Sequence, residues 1–147
     1  MKILNTLLFC LLPIVGFTQV NWSEFNAKFK EKPKAIMIYF YTDWCGVCKI
    51  QEKQIERDVE IQQFLQEEVY FLKINGESKD EITFLDQKFV PSYSDKSHPF
   101  VTEFIPPKDV AYPLWIILDE NLQILGKFSG LIKKKNFEQL IQQIKKE

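Results

Sequence analysis

The chain has 147 residues, 46% of them hydrophobic and 27% charged, with a formal net charge of -1. That length suits one domain with one core, and the composition is that of a globular protein. Near-neutral charge excludes a strong field for nucleic acid or an anionic membrane, and the lysines at 133–135 and 145–146 read as solvated helix ends.

The first nineteen residues read as an export signal, leaving a domain over 20–147. Lys2 gives a positive start, residues 3–17 are mostly apolar, and small residues stand near a cleavage point after Thr18-Gln19. The apolar stretch is short for a membrane span, which needs about 20 residues; an uncleaved anchor is the alternative. A lipoprotein signal needs a small residue before its cysteine, whereas Phe9 precedes Cys10. The expected location is therefore periplasmic or secreted. Cleavage would remove Cys10 and leave Cys45 and Cys48 alone in an oxidising compartment.

Residues 22–32 carry Trp22, Phe25 and Phe29 at helical spacing, with Ser23 as a possible cap and Pro33 as the stop. Residues 35–41 are apolar on both alternating faces, which predicts a central strand covered by helices on both sides. A helix follows over 45–57, with Ile50 and Ile55 on or near one side. Asp58 reads as the N-cap of a second helix that turns Val59, Phe64 and Leu65 inward. A strand at 69–74 and a short helix at 81–89, with Ile82, Leu85 and Phe89, come next. Residues 114–118 form another buried strand, 119–121 a turn, and 123–128 its hairpin partner. Gly130 precedes a last helix from about 134 to 145, buried through Phe137, Leu140, Ile141 and Ile144. This order predicts an α/β fold with a mixed sheet, parallel at first and antiparallel at the end, flanked by helices.

The chemistry concentrates in Trp44-Cys45-Gly46-Val47-Cys48-Lys49. Two cysteines separated by two residues can close a small disulfide ring. At a helix start the first thiol ionises easily, and the second can attack a mixed disulfide made by the first. A structural staple is the bland reading, though so small a ring constrains the unfolded chain little. A metal site is the third: two soft thiolates suit Cu(I), whereas Zn(II) would lack further ligands beyond the single His98.

Taken together, the buried strand leading into Trp-Cys-Gly-x-Cys-Lys, the strand ending in Leu72-Lys73-Ile74-Asn75, Tyr112-Pro113 before the strand at 114–118, and Gly130 resemble the thioredoxin family. The likeness spans residues 22–144. Within it, residues 49–65 look like the carboxy-terminal periplasmic domain of DsbD-type thiol reductants. The resemblance implies a thioredoxin-like fold and a thiol–disulfide oxidoreductase of the cell envelope, reducing protein disulfides. Cys45 would be the nucleophile and Cys48 the resolving thiol. Pro113 would be a cis-proline that leaves the Tyr112 backbone free for a substrate strand, and Trp44 a flat apolar contact. Gly46, Val47 and Lys73 would support the site. No bound cofactor is implied. The partners would be disulfide-containing proteins and a membrane or periplasmic thiol donor. The alternatives are an oxidase or isomerase using the same residues, or a Cu(I)-binding module.

Two departures stand out. Where thioredoxins bury an acid, six residues before the first cysteine, this chain has Tyr39, a poor proton acceptor near neutral pH. Asp43 is close in sequence but expected to face solvent. No histidine lies between the cysteines, which favours a reductant over an oxidant. The second departure is an insertion over 91–111, containing Tyr93, His98, Phe100, Phe104 and Pro106-Pro107. Long loops in compact domains are often functional. This one feeds Pro113, so it either shapes a partner-specific docking surface or is a neutral elaboration. A lone loop histidine such as His98 is usually neither ligand nor catalyst.

Overall fold

The computed structural model describes residues 19–144; the export signal expected over 1–19, apart from Gln19, and the last lysines lie outside the described residues. In chain order the elements are α1 (Trp22–Glu31), β1 (Ile36–Tyr41), α2 (Gly46–Arg57), α3 (Val59–Glu67), β2 (Tyr70–Asn75), β3 (Ile82–Phe84), β4 (Gln87–Phe89), α4 (Pro99–Thr102), β5 (Leu114–Leu118), β6 (Ile124–Ser129) and α5 (Lys134–Ile144). The main sheet runs β2-β1-β5-β6. β1 and β2 are parallel, while β5 is antiparallel to both β1 and β6. This is the mixed, helix-covered sheet that the order of elements predicts.

β1 and β5 sit in the middle and are apolar on both faces because both faces are covered. On one face Ile38, Phe40, Leu114 and Ile116 meet α1, the β3–β4 hairpin and the insertion. On the other, Met37, Tyr39, Trp115 and Ile117 meet α2, α3 and α5 through Cys48, Ile55, Phe64, Phe137 and Ile141. β6 is an outer strand and leaves Ile124, Leu125 and Phe128 exposed.

Several local expectations change. The cap of α1 is Asn21, whose side chain accepts from the Glu24 N–H at 3.1 Å; Ser23 lies already inside the helix. Asp58 does cap α3, accepting from Ile61 N–H, and its carboxyl is held below its ordinary pKa, first by the hydrogen bond from Lys134. Val59 at the first helical position is exposed, and Ile61, Phe64 and Leu65 make the inward stripe instead. Ile50 also faces solvent, while Cys48, Gln51 and Ile55 are the buried side of α2.

The helix expected at 81–89 is a β-hairpin. Ile82, Thr83 and Phe84 pair with Phe89, Lys88 and Gln87 around a two-residue turn, with Leu85 at φ 54°. Asn26 of α1 fastens this turn, donating to Thr83 O at 2.9 Å and accepting from Leu85 N–H at 2.9 Å. The apolar residues 82, 85 and 89 fit a helix on paper. A side chain from a distant element overrides that pattern by satisfying the turn's backbone groups.

Candidate active site

β1 delivers the chain to the site. After Tyr41 the backbone turns at Thr42, whose carbonyl accepts from Cys45 N–H at 3.2 Å. Cys45 is extended (φ -74°, ψ 101°) and is the N-cap of α2; its sulfur accepts from the Cys48 N–H at 3.1 Å. Cys45 and Cys48 are joined as a disulfide with Cα atoms 5.2 Å apart. Cys45 is 4% exposed and Cys48 1%, whereas Trp44 is 68% exposed. A Cβ at Gly46 would meet nothing within 4 Å, and Val47 is 43% exposed, so the outer side of the first turn is open to a large partner.

Beneath the cysteines Tyr39, Gln51, Glu52 and Lys73 are engaged, while the buried Thr42 Oγ1 and Trp115 Nε1 have no hydrogen-bond partner. Tyr39 is fully buried and its hydroxyl donates to Cys48 O at 3.1 Å. Burial, joined by the charges of Glu52 and Tyr41, pushes its phenol far above the usual range, so it serves as a neutral donor. Lys73 pairs with Glu52 at 2.9 Å, both mostly covered, and its ammonium lies 4.7 Å from the centre of the Tyr41 ring. Glu52 is four residues beyond Cys48 and therefore on the same helix face, one turn along. Gln51, completely buried, accepts from Ile132 N–H at 2.7 Å and donates to Ile132 O at 3.3 Å. It thereby ties α2 to the segment before α5.

Beside the cysteines lies the Tyr112-Pro113 bond, which is cis. Leu114 pairs with Phe40, so Pro113 stands level with the end of β1 that carries the cysteine turn. Pro113 O accepts from Gly130 N–H at 2.8 Å, with Gly130 at φ +94°. The Tyr112 ring meets the Trp44 indole edge to face at 6.3 Å, and Trp44 Nε1 donates to Glu77 at 3.0 Å. Tyr112 OH donates to Gly76 O at 3.1 Å.

The structure thus brings Trp44, Cys45, Gly46, Val47, Cys48, Tyr112 and Pro113 to one end of the sheet, with Lys73 on the same face through Glu52. Asp43 is exposed, as expected, and accepts from Asn75 Nδ2 at 3.2 Å. His98 is 1% exposed and occupied elsewhere: Nδ1 accepts from Phe100 N–H at 3.0 Å and Nε2 donates to Asp80 O at 2.9 Å. Those partners fix a neutral ring, and burial lowers its pKa further. Among the described residues no cluster of three or more His, Cys, Asp or Glu is arranged to hold a metal.

Three residues escaped the sequence reading. Glu52 and Gln51 were legible in principle, at four and three residues beyond Cys48 on the same helix face. Gly76 carried no signal, because its importance lies in a contact with a ring 36 residues away.

The comparisons agree with this geometry. A family profile described as Thioredoxin-like domain matches residues 24–145. A thioredoxin named AMT13 from Alternaria alternata is 35% identical over 77 residues; the match covers 52% of this chain and 62% of that protein's length. Among solved structures, an oxidoreductase named DsbH superposes with a TM-score of 0.58 at 15% identity, covering 87% of this chain and 84% of the other. Chloroplastic thioredoxin z gives 0.56 at 12% identity over 91% and 98%, and thioredoxin f2 of Chlamydomonas reinhardtii 0.52 at 19% over 87% and 95%. Those structures speak for the fold. With the matched profile spanning most of the chain and the vicinal cysteines at the head of α2, this protein belongs to the thioredoxin-like domain family.

Proposed function

We propose that the chain is an exported thiol–disulfide oxidoreductase that reduces disulfides in other proteins. The observation that carries this is the Cys45–Cys48 disulfide at the start of α2, with Cys45 Sγ accepting the Cys48 N–H beside a cis Tyr112-Pro113. In the dithiol form that N–H and the helix dipole favour a thiolate on Cys45. The thiolate attacks one sulfur of a substrate disulfide, forming Cys45–S–S–R and releasing the other as a thiolate. Cys48 then loses its proton and attacks Cys45 Sγ. This breaks the mixed disulfide, releases the second substrate thiolate and leaves the Cys45–Cys48 disulfide. Two electrons pass to the substrate, and protons taken up there complete its two thiols.

With Tyr39 in place of a carboxylate, the proton on Cys48 needs another acceptor. Glu52 is on the same face of α2, and Lys73 holds it there. In our reading Glu52 accepts that proton, through water where the two do not touch. The absence of a histidine between the cysteines supports the reducing direction. Regenerating the dithiol takes a thiol donor, which for an exported protein is a membrane or envelope thiol carrier.

Thiol trapping of the domain over 20–147, equilibrated in defined dithiol and glutathione buffers, tests the direction. A potential near about -270 mV is expected for a reductase, while one near about -120 mV makes the protein an oxidant. Cys48→Ala is expected to accumulate a mixed disulfide that Cys45→Ala does not form; the reverse pattern exchanges their roles. Export is tested by the mass of the protein recovered from the envelope, which should begin near residue 20; a full-length mass points to a retained anchor.

A further inference from the structure

The insertion is anchored in the core at its middle, although Tyr93 and residues 106–109 are exposed. Phe100 and Val101 of α4 are completely buried, and Phe100 packs against Trp22, Phe40, Phe84, Phe89 and Phe104. His98 caps this short helix and is bonded to both Asp80 and Phe100, so the chain just before it is held to the core. That anchored stretch meets the cysteine end of the sheet at the carbonyl of Gly76. It accepts from His98 N–H at 2.7 Å and from Tyr112 OH at 3.1 Å. Ser97 Oγ lies 3.4 Å from the same Tyr112 oxygen. A phenol has one proton; with that proton on Gly76 O, the Ser97 hydroxyl is free to donate to Tyr112. The fit is close, since a Cβ at Gly76 would stand only 2.6 Å from Tyr112 Cζ.

Resting on the oxidoreductase reading above, we infer that Ser97 and Gly76 are positioning residues for protein substrates: they fix Tyr112, and through it the exposed indole of Trp44, as a rigid aromatic shelf beside the disulfide. Tyr112 precedes Pro113 directly, so its ring and its backbone are set together. Trp44 touches that ring on one side and Glu77 on the other, and Glu77 follows Gly76 in the chain. A shelf already held loses little freedom when a folded or extended protein docks on it, which favours large substrates. A small disulfide that reaches the sulfur without using the shelf gains nothing from it.

The test compares two substrates for the pre-reduced domain: insulin, a protein disulfide, and the small aromatic disulfide dithiobis(nitrobenzoate). Gly76→Ala displaces the Tyr112 ring and Ser97→Ala removes one hydroxyl contact. The expected result is a second-order rate with insulin lowered about fivefold or more in Gly76→Ala and less in Ser97→Ala. Rates with the small disulfide and the reduction potential should stay at the wild-type level. Ser97→Thr, which keeps the hydroxyl, should restore the insulin rate. Asn26→Ala loosens the β3–β4 hairpin away from the site and sets the baseline for general destabilisation. Equal losses on both substrates, or no loss on insulin, overturn the inference while leaving the oxidoreductase reading intact. A wild-type protein that reduces neither substrate overturns that reading, and this inference with it. Should Gly76→Ala not fold, the Ser97 pair decides the matter alone.

Discussion

On the thiol face of the sheet the buried set mixes Met37 and Trp115 with Tyr39, Gln51 and two cysteines, and the polar members bond to backbone groups of Cys48 and Ile132. On the opposite face the buried set is mostly aromatic and aliphatic, with Phe25 against Phe29 and both Phe40 and Phe89 against Phe100, beside a buried His98 that caps α4. Apolar packing is non-directional and contributes in proportion to area. Hydrogen bonds to backbone are directional and fix position more than they stabilise. The difference teaches a division of labour: one face holds the domain together and the other holds two sulfur atoms in place.

Substitutions can break this comparison or sharpen it. Phe100→Ala should have the largest effect, a loss of about 3–5 kcal/mol in chemical denaturation, with the potential of the cysteine pair in the folded protein unchanged. A potential that moves with stability there would abolish the distinction. Gln51→Ala leaves the Ile132 N–H without its acceptor, while Ile132 O keeps the bond from Gln54 at 3.0 Å, and should cost about 1–3 kcal/mol. Because it frees α2, it should also shift the potential, which Phe100→Ala should not. Tyr39→Phe removes the donor to Cys48 O and should cost about 1 kcal/mol. Thiol trapping would show its effect at Cys48 in the rate of resolving a mixed disulfide.

The smallest effect concerns pH and the insertion. His98 is neutral in the fold, with burial lowering its pKa; the hydrogen bond to Asp80 O and the charges of Asp95 and Asp80 only partly offset this, and Lys79 adds to the lowering. Its folded pKa is depressed below the unfolded value of about 6.5. The stability it contributes is therefore complete above that pH and is lost as pH falls through it toward the folded pKa. Denaturation midpoints should decline over that acid window in the parent and less so in His98→Gln. Equal declines would show that other groups govern the acid limb.

The thiol face was largely legible in the sequence, since its order of strand, cysteine turn, helix and Asp58 cap follows local rules: apolar runs, helix spacing and capping. The other face was not. Residues 82–89 carry a spacing compatible with a helix, and the hairpin is held by partners distant in sequence: the bonds from Asn26 and the packing of Phe84 and Phe89 against Phe100. Phe100 and Val101 gave no periodic signal because α4 is a single turn. Glu52 was hidden differently: its helix was foreseen, but its partner Lys73 is on β2, and the pairing exists only once β1 and β2 align Tyr39 with Lys73.

The close fit of Gly76 against the Tyr112 ring also constrains how this sequence can drift. Adding even a methyl group at position 76 collides with the ring, whereas shortening Tyr112 first removes the obstacle. The two positions are therefore coupled: Gly76→Ala alone forces the Tyr112 ring aside, whereas the same step after Tyr112→Ser meets no ring. Among descendants of this chain, a side chain at 76 should accompany either a smaller residue at 112 or an aromatic ring moved from its present seat.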